Sequence, residues 1–167
     1  MSRDELARIQ FGPEPGQPLD GMGSVRFWAS CRGNSEEVLG KAKEALSAVV
    51  TNARNPWPTD EEWALLLPAW FVSTCRPPYT KEEVELSQQA SYEEKLRRAR
   101  ERTESWPMDS WVHWFRPENR NWFWWDAVAS SPDRIVIAVT VTEWPFPWGS
   151  LDWLFRAAGS VRLETEE

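Results

Sequence analysis

Histidine and cysteine are nearly missing from this chain. It has one histidine, His113, and two cysteines, Cys31 and Cys75, in 167 residues. No pair of these has the short spacing of a zinc site, and no acidic run reads as a calcium loop. No metal or other cofactor is expected. Two cysteines make no disulfide framework, so both are expected as free thiols. Basic charge is also short. Nineteen Lys and Arg face 26 Asp and Glu, a net charge of −7. That balance argues against nonspecific nucleic-acid binding and against anionic membrane surfaces, which both call for a basic face. Long apolar runs are absent too. The longest uncharged one, residues 63–75, is interrupted by Pro68 and is too short to span a bilayer. The opening MSRDELARIQ has no apolar h-region of a signal peptide. Together these features point to a cytoplasmic protein.

Nor do the residues assemble a familiar catalytic motif. Nucleophilic catalysis needs a nucleophile beside an oriented base, and His113 lies between Trp111 and Trp114 with no nucleophile-elbow motif anywhere. Gly21-x-Gly23 is no dinucleotide fingerprint, because Arg26 holds the third glycine position. Acid–base chemistry is the least excluded. Asp126 follows two tryptophans within a strand pattern and Glu143 precedes Trp144. A carboxyl facing a core of rings would have a raised pKa, a known route to a general acid. The plainer expectation is that Asp126, Glu143 and Asp152 accept indole N–H bonds.

What the chain has in plenty is tryptophan: thirteen, eight of them between Trp111 and Trp153. Each ring can bury about 150–250 Å² and brings an N–H that needs a partner when buried. The same stretch holds the clearest strand, Arg134 to Glu143. Ile135, Ile137, Val139 and Val141 alternate with Val136, Ala138, Thr140 and Thr142, and β-branched residues fill most positions. Residues 122–129, WFWWDAVA, come before it across Ser130-Ser131-Pro132-Asp133, a turn composition. The pattern predicts an antiparallel hairpin, 122–129 with 134–143, bringing Trp122, Trp124 and Trp125 near Ile137 to Val141. Ser24 to Cys31 is a candidate third strand, and Val161 to Leu163 a candidate edge.

Helices fill the rest. Residues 1–10 suit a short helix, and residues 12–23, rich in proline and glycine, suit a loop. Asn34 with Glu37, Thr59 with Glu62, Thr80 with Glu83 and Ser91 with Glu94 have capping-box spacing. The helix from Asn34 to near Asn55 has the widest apolar face. Residues 81–105 break or bend near Ala90, and the second half has a narrow stripe with four-apart charge pairs such as Glu94/Arg98 and Arg97/Glu101. Such a run reads as a solvated face. Asp109 is placed to cap a short helix carrying Trp111, Trp114 and Phe115. Ser150 is placed to cap a last helix ending at Gly159. A mobile tail is expected over 164–167. The fold class is α+β, one domain over 1–167, with an antiparallel sheet of about three strands and four or five helices mainly on one face.

The loop Arg116-Pro117-Glu118-Asn119-Arg120-Asn121 and the loop 144–149 flank the hairpin. If they share an end, Trp111, Trp114, Trp122, Trp144 and Trp148 would wall a cleft with Arg116, Glu118, Arg120 and Asn121 at its rim. Such a cleft suits a protein anchor or a small ligand. The first reading is therefore a non-catalytic interaction module for another protein, of basic character. In size, charge and missing catalytic residues it has the general character of immunity proteins and antitoxins, with no motif match. The alternatives are a binder of a sugar or small aromatic ligand, and a carboxylate-dependent enzyme. A Trp-rich sheet face left uncovered would favour a homodimer.

Overall fold

The computed structural model describes residues 2–18 and 23–166. Part of the expected 12–23 loop, residues 19–22, lies outside the described residues, as does residue 167 of the expected tail. The elements in chain order are α1 (Ser2–Phe11), β1 (Gly23–Ser30), α2 (Ser35–Asn52), α3 (Asp60–Leu66), α4 (Ala69–Thr74), α5 (Lys81–Gln89) and α6 (Tyr92–Glu101). They continue with α7 (Met108–His113), β2 (Trp122–Ser131), β3 (Arg134–Val141), α8 (Gly149–Ala158) and β4 (Arg162–Thr165). The class is α+β, with a four-stranded antiparallel sheet in the order β2-β3-β1-β4. Three of the helices among the described residues, α3, α4 and α7, are only six or seven residues long, which is why their number exceeds the expected four or five.

The hairpin forms as its alternation predicts. Trp122 lies opposite Val141 and Trp124 opposite Val139. The register then shifts by one at Trp125, a β-bulge. This resets the alternation. Strict period two from Trp124 would turn Asp126 into the core. The bulge instead pairs Asp126 with Ala138 on the outer face and sends Ala127 inward, opposite Ile137. At the other edge β4 runs to Thr165, opposite Phe27, and the Glu166 N–H reaches the Arg26 carbonyl at 2.9 Å. The expected 164–167 tail is therefore strand for its first two residues, because the free edge of β1 offers hydrogen-bond partners.

One sheet face is covered by helices. Val38, Leu39, Ala42, Ala45, Leu46, Val49 and Val50 of α2 are buried, with Leu151, Leu154 and Phe155 of α8, against Phe27, Ile135, Ile137 and Val139. Full burial of side chains of this size contributes about 1.5–3 kcal/mol each before entropy. Trp124 stacks on Phe155, with centroids 6.2 Å apart and planes 9° apart. The outer face is barer. Val128 is exposed, and Trp28 lies beneath the Arg134 guanidinium, 3.6 Å from the ring centroid.

α1 closes the free edge of β2. Edge strands present unpaired backbone groups, and here side chains meet them. Glu5 Oε1 accepts the Trp124 N–H at 2.9 Å. Arg8 Nε donates to the Trp124 carbonyl at 3.0 Å and Arg120 Nε to the Trp122 carbonyl at 2.7 Å. Glu5 and Arg120 are ion-paired with each other and nearly buried. Burial pulls Arg120 below the usual arginine range, and the Glu5 carboxylate opposes that. Arg120→Met would strand a buried carboxylate, so we expect urea unfolding to show a loss of about 3–5 kcal/mol. Adding Glu5→Gln, whose amide oxygen still accepts the Trp124 N–H, should return more than half of it. A single variant as stable as the parent would mean the pair is structurally idle.

Candidate functional site

The residues singled out from sequence divide by burial. Trp111, Trp122 and Asn121 are buried, and Arg120 nearly so. Trp114, Arg116 and Trp148 are half-buried, while Glu118 and Trp144 are exposed. The two loops do share one end of the hairpin, since Trp122 opposes Val141. Yet Arg120, Asn121 and Trp122 turn into the body. Arg116 lies over the Trp57 ring at 4.9 Å, Trp148 packs on Phe27 at 5.0 Å, and Trp144 meets Phe146 at 5.8 Å. Among the described residues, Trp63, Trp111, Trp122, Trp124 and Trp153 are buried and Trp144 alone of the tryptophans is exposed, so most rings serve packing.

The indole partners differ from those expected. Trp111 donates to the Ser150 carbonyl and Trp122 to Ser150 Oγ, each at 2.9 Å. Ser150 thus joins two aromatic side chains instead of capping α8, whose N-cap is Trp148. Asp152 is buried and pairs with Arg156 at 2.9 Å, not with an indole. Asn34 likewise caps nothing with its side chain, because its Oδ1 accepts the Arg32 N–H. The N-cap of α7 is Pro107, not Asp109.

Of the three acid–base candidates, Asp126 accepts the N–H of Ala127 at 2.9 Å, His113 is exposed beside Asn119, and Glu143 is exposed. None has another titratable side chain as a hydrogen-bond partner among the described residues. The bulge at Trp125 pairs Asp126 with Ala138 on the outer face, where it is half-buried.

The feature that sequence reasoning undervalued is the excursion from Pro77 to Ser105. Its base is closed by the Arg76 N–H to the Trp106 carbonyl, 3.1 Å, and by a bridge between Arg76 and Pro107. The break at Ala90 divides it into α5 and α6 as predicted, and neither helix buries a residue. Thr80 and Glu83 complete a reciprocal capping box. Glu83 also pairs with Arg76 at 2.6 Å, and Arg76 lies 4.3 Å from the Tyr79 centroid. Tyr79, Val84, Leu86 and Tyr92 are exposed, at 41, 44, 68 and 76%. A groove of about 840 Å³ runs between the helices and the base, lined by Tyr79, Val84 and Leu86 with Arg76, Arg98 and Glu104 among its polar groups. The sequence signal for this surface was faint, because α5 brings only two apolar side chains, Val84 and Leu86, and two in one short acidic helix make no stripe. On α6, Glu94 meets Arg97 and Arg98, and Arg97 also meets Glu101 at 2.8 Å.

No family model, curated protein or solved structure matches this chain. No helix of the described residues is long and apolar enough to cross a membrane.

Two measurements test this description. Ser150→Ala removes the acceptor of a buried indole, so we expect a loss of about 1–3 kcal/mol in chemical unfolding. It should also move the Trp122 indole N–H resonance while leaving that of Trp111, which bonds to backbone. Separately, hydrogen bonds from Arg97, joined by the charges of Arg97 and Arg98, hold the Glu94 carboxyl down to about 2 from its ordinary 4.5. A depressed carboxylate stabilises the fold above its unfolded value, and that contribution fades as pH falls from 4.5 toward 2. A carboxyl-carbon NMR titration should place Glu94 well below the other exposed glutamates, and a midpoint near 4.5 would remove the pair network from α6.

Proposed function

We propose that the protein is a non-catalytic protein-interaction module whose docking element is the α5–α6 arm. One observation supports this above the others. The arm buries no residue of its own helices, is joined to the body at its base and by Arg102 over Trp148, and leaves Tyr79, Val84, Leu86 and Tyr92 in water. A soluble chain gains nothing in stability from two such helices, since helices this short form mainly by packing an apolar face. Exposed apolar side chains rimmed by charge suit an anchor patch.

The partner is a basic protein. The chain carries a net charge of −7. α5 presents Glu82, Glu83 and Glu85 against Lys81, and α3 exposes Asp60, Glu61 and Glu62. Complementary charge would speed encounter, and the apolar groove would slow release. In size, acidity and missing catalytic set, the module has the character of immunity proteins and antitoxins, by analogy only. The groove volume also supports a second reading, a small apolar or aromatic ligand held against Tyr79.

The test is affinity capture of the full chain from its native host, followed by native mass spectrometry, with the parent and a V84E/L86E variant. Both positions are exposed, so the variant should keep the parent's circular dichroism and melting temperature. We expect a basic protein at fixed stoichiometry with the parent and about tenfold less or worse with the variant, as loss of an anchor gives. A retained small mass in place of a protein would favour the ligand reading. A bare parent, or equal capture by both, would remove the arm from the function.

A further inference from the structure

Against this acidic chain one cleft draws four of its eight lining residues from arginine, with Glu101 and Asp152 as the acidic ones. It lies where the C-terminal end of α6 meets α8 and the start of β4. Arg100, Arg102, Arg156 and Arg162 line a cavity of about 420 Å³, with the buried Asp152 among them. Arg102, Asp152 and Arg156 also line a neighbouring cavity of about 270 Å³, which has Trp106 and Ala99 on its apolar side.

The charges there do not cancel. Asp152 is taken by Arg156, whose Nη2 also reaches the Glu104 carbonyl at 2.9 Å. Glu101 is held by Arg97 at 2.8 Å, and Arg162 by Glu164 at 3.0 Å. Arg100 and Arg102 have no carboxylate partner among the described residues. Arg102 donates from Nε to the Ala99 carbonyl, and its guanidinium lies 3.2 Å from the Trp148 centroid. Its backbone is left-handed, φ 46°, the one positive φ outside glycine among the described residues. Such a conformation is strained for a residue that carries a Cβ. It ends α6 and accompanies the placement of this guanidinium over Trp148. Burial lowers Arg102 below the usual arginine range. Asp152 opposes that, and Arg162 and Arg156 add to it, so these guanidiniums are close enough to repel. An anion bound between them would relieve the repulsion.

We propose that this cleft is a binding site for a phosphate monoester. Donors from α6, α8 and β4 approach from separate elements, an envelope that suits a tetrahedral oxyanion better than a planar carboxylate, which one bidentate fork satisfies. Two unpaired guanidiniums match the charge of about −1.5 to −2 on a monoester near neutral pH. The cavity beside Trp106 gives room for the organic part. Its two unpaired arginines, Arg100 and Arg102, do not line the apolar groove of the arm, although the cavity beside Trp106 shares Arg98 and Glu104 with that groove.

Phenyl phosphate, inorganic phosphate and benzoate are the probes, titrated calorimetrically into the full chain at fixed ionic strength. We expect saturable one-to-one binding of phenyl phosphate, with benzoate at least about tenfold weaker. R100Q, at an exposed residue with no ion-pair partner among the described residues, should fold as the parent and weaken phenyl phosphate about tenfold, the scale of one charge-assisted contact. R102Q should weaken it further, and R54Q, an exposed arginine outside the cleft, should leave it unchanged. Inorganic phosphate binding as tightly as phenyl phosphate would keep the site and assign it to the bare anion. Three results would overturn the proposal: no saturable binding, benzoate binding equally, or R100Q binding like the parent.

Discussion

The Glu5 carboxylate is the contact on which the sheet's exposed edge depends. It accepts a backbone N–H of β2, pairs with Arg120, and sits on a helix that meets both β2 and α2. Without it the Trp122 and Trp124 segment would be an open edge beside large rings, the kind of surface that pairs with other chains. A buried ion pair is weak evidence for stability by itself. Here it supplies direction. Glu5, Arg8 and Arg120 fix where α1 lies and which backbone groups it covers. The covered edge in turn lets Trp124 stack on Phe155 inside the core.

Ser150 plays a comparable part on the other side of the same rings. One small polar residue at the start of α8 receives the indoles of Trp111 and Trp122. α7, β2 and α8 are thereby tied at one point. The aromatic chain from Phe71 through Trp111 and Phe115 to Trp122 runs through that point, with centroid separations of 4.5, 4.6 and 5.8 Å. For these two rings the joint spares the cost of an unmatched buried N–H, whereas the buried indoles of Trp63 and Trp124 have no hydrogen-bond partner among the described residues.

The α5–α6 arm is built on a different principle. Its order comes from caps and surface ion pairs, each a small term, and its closure from the strand-like contact of Arg76 with Trp106 and Pro107. Two surfaces follow. The groove near Tyr79 and Val84 is apolar, and the root near Arg102 is cationic. Both exist because the chain leaves the body at Arg76 and returns beside it.

Local chemistry alone determined a good deal of this protein. The alternation of Arg134 to Val141 with the Pro132-Asp133 turn set the hairpin, and the caps at Thr59, Thr80 and Ser91 set three helix starts, because these signals act over a few residues. The α+β class followed from their sum. Tertiary structure decided the rest. The bulge at Trp125 turned Asp126 off the core, since one extra residue reverses the side chains that follow, here up to the second register shift before Ser131, and no pairing partner is visible along the chain. Ser150 and Asp152 took tertiary partners over local ones, and Arg120 proved to be core, because Glu5 lies 115 residues away. The free edge of β1 drew Thr165 into the sheet. The candidate surfaces were the least legible of all. They are made of residues left over when burial is complete, and only the packed fold shows which residues those are.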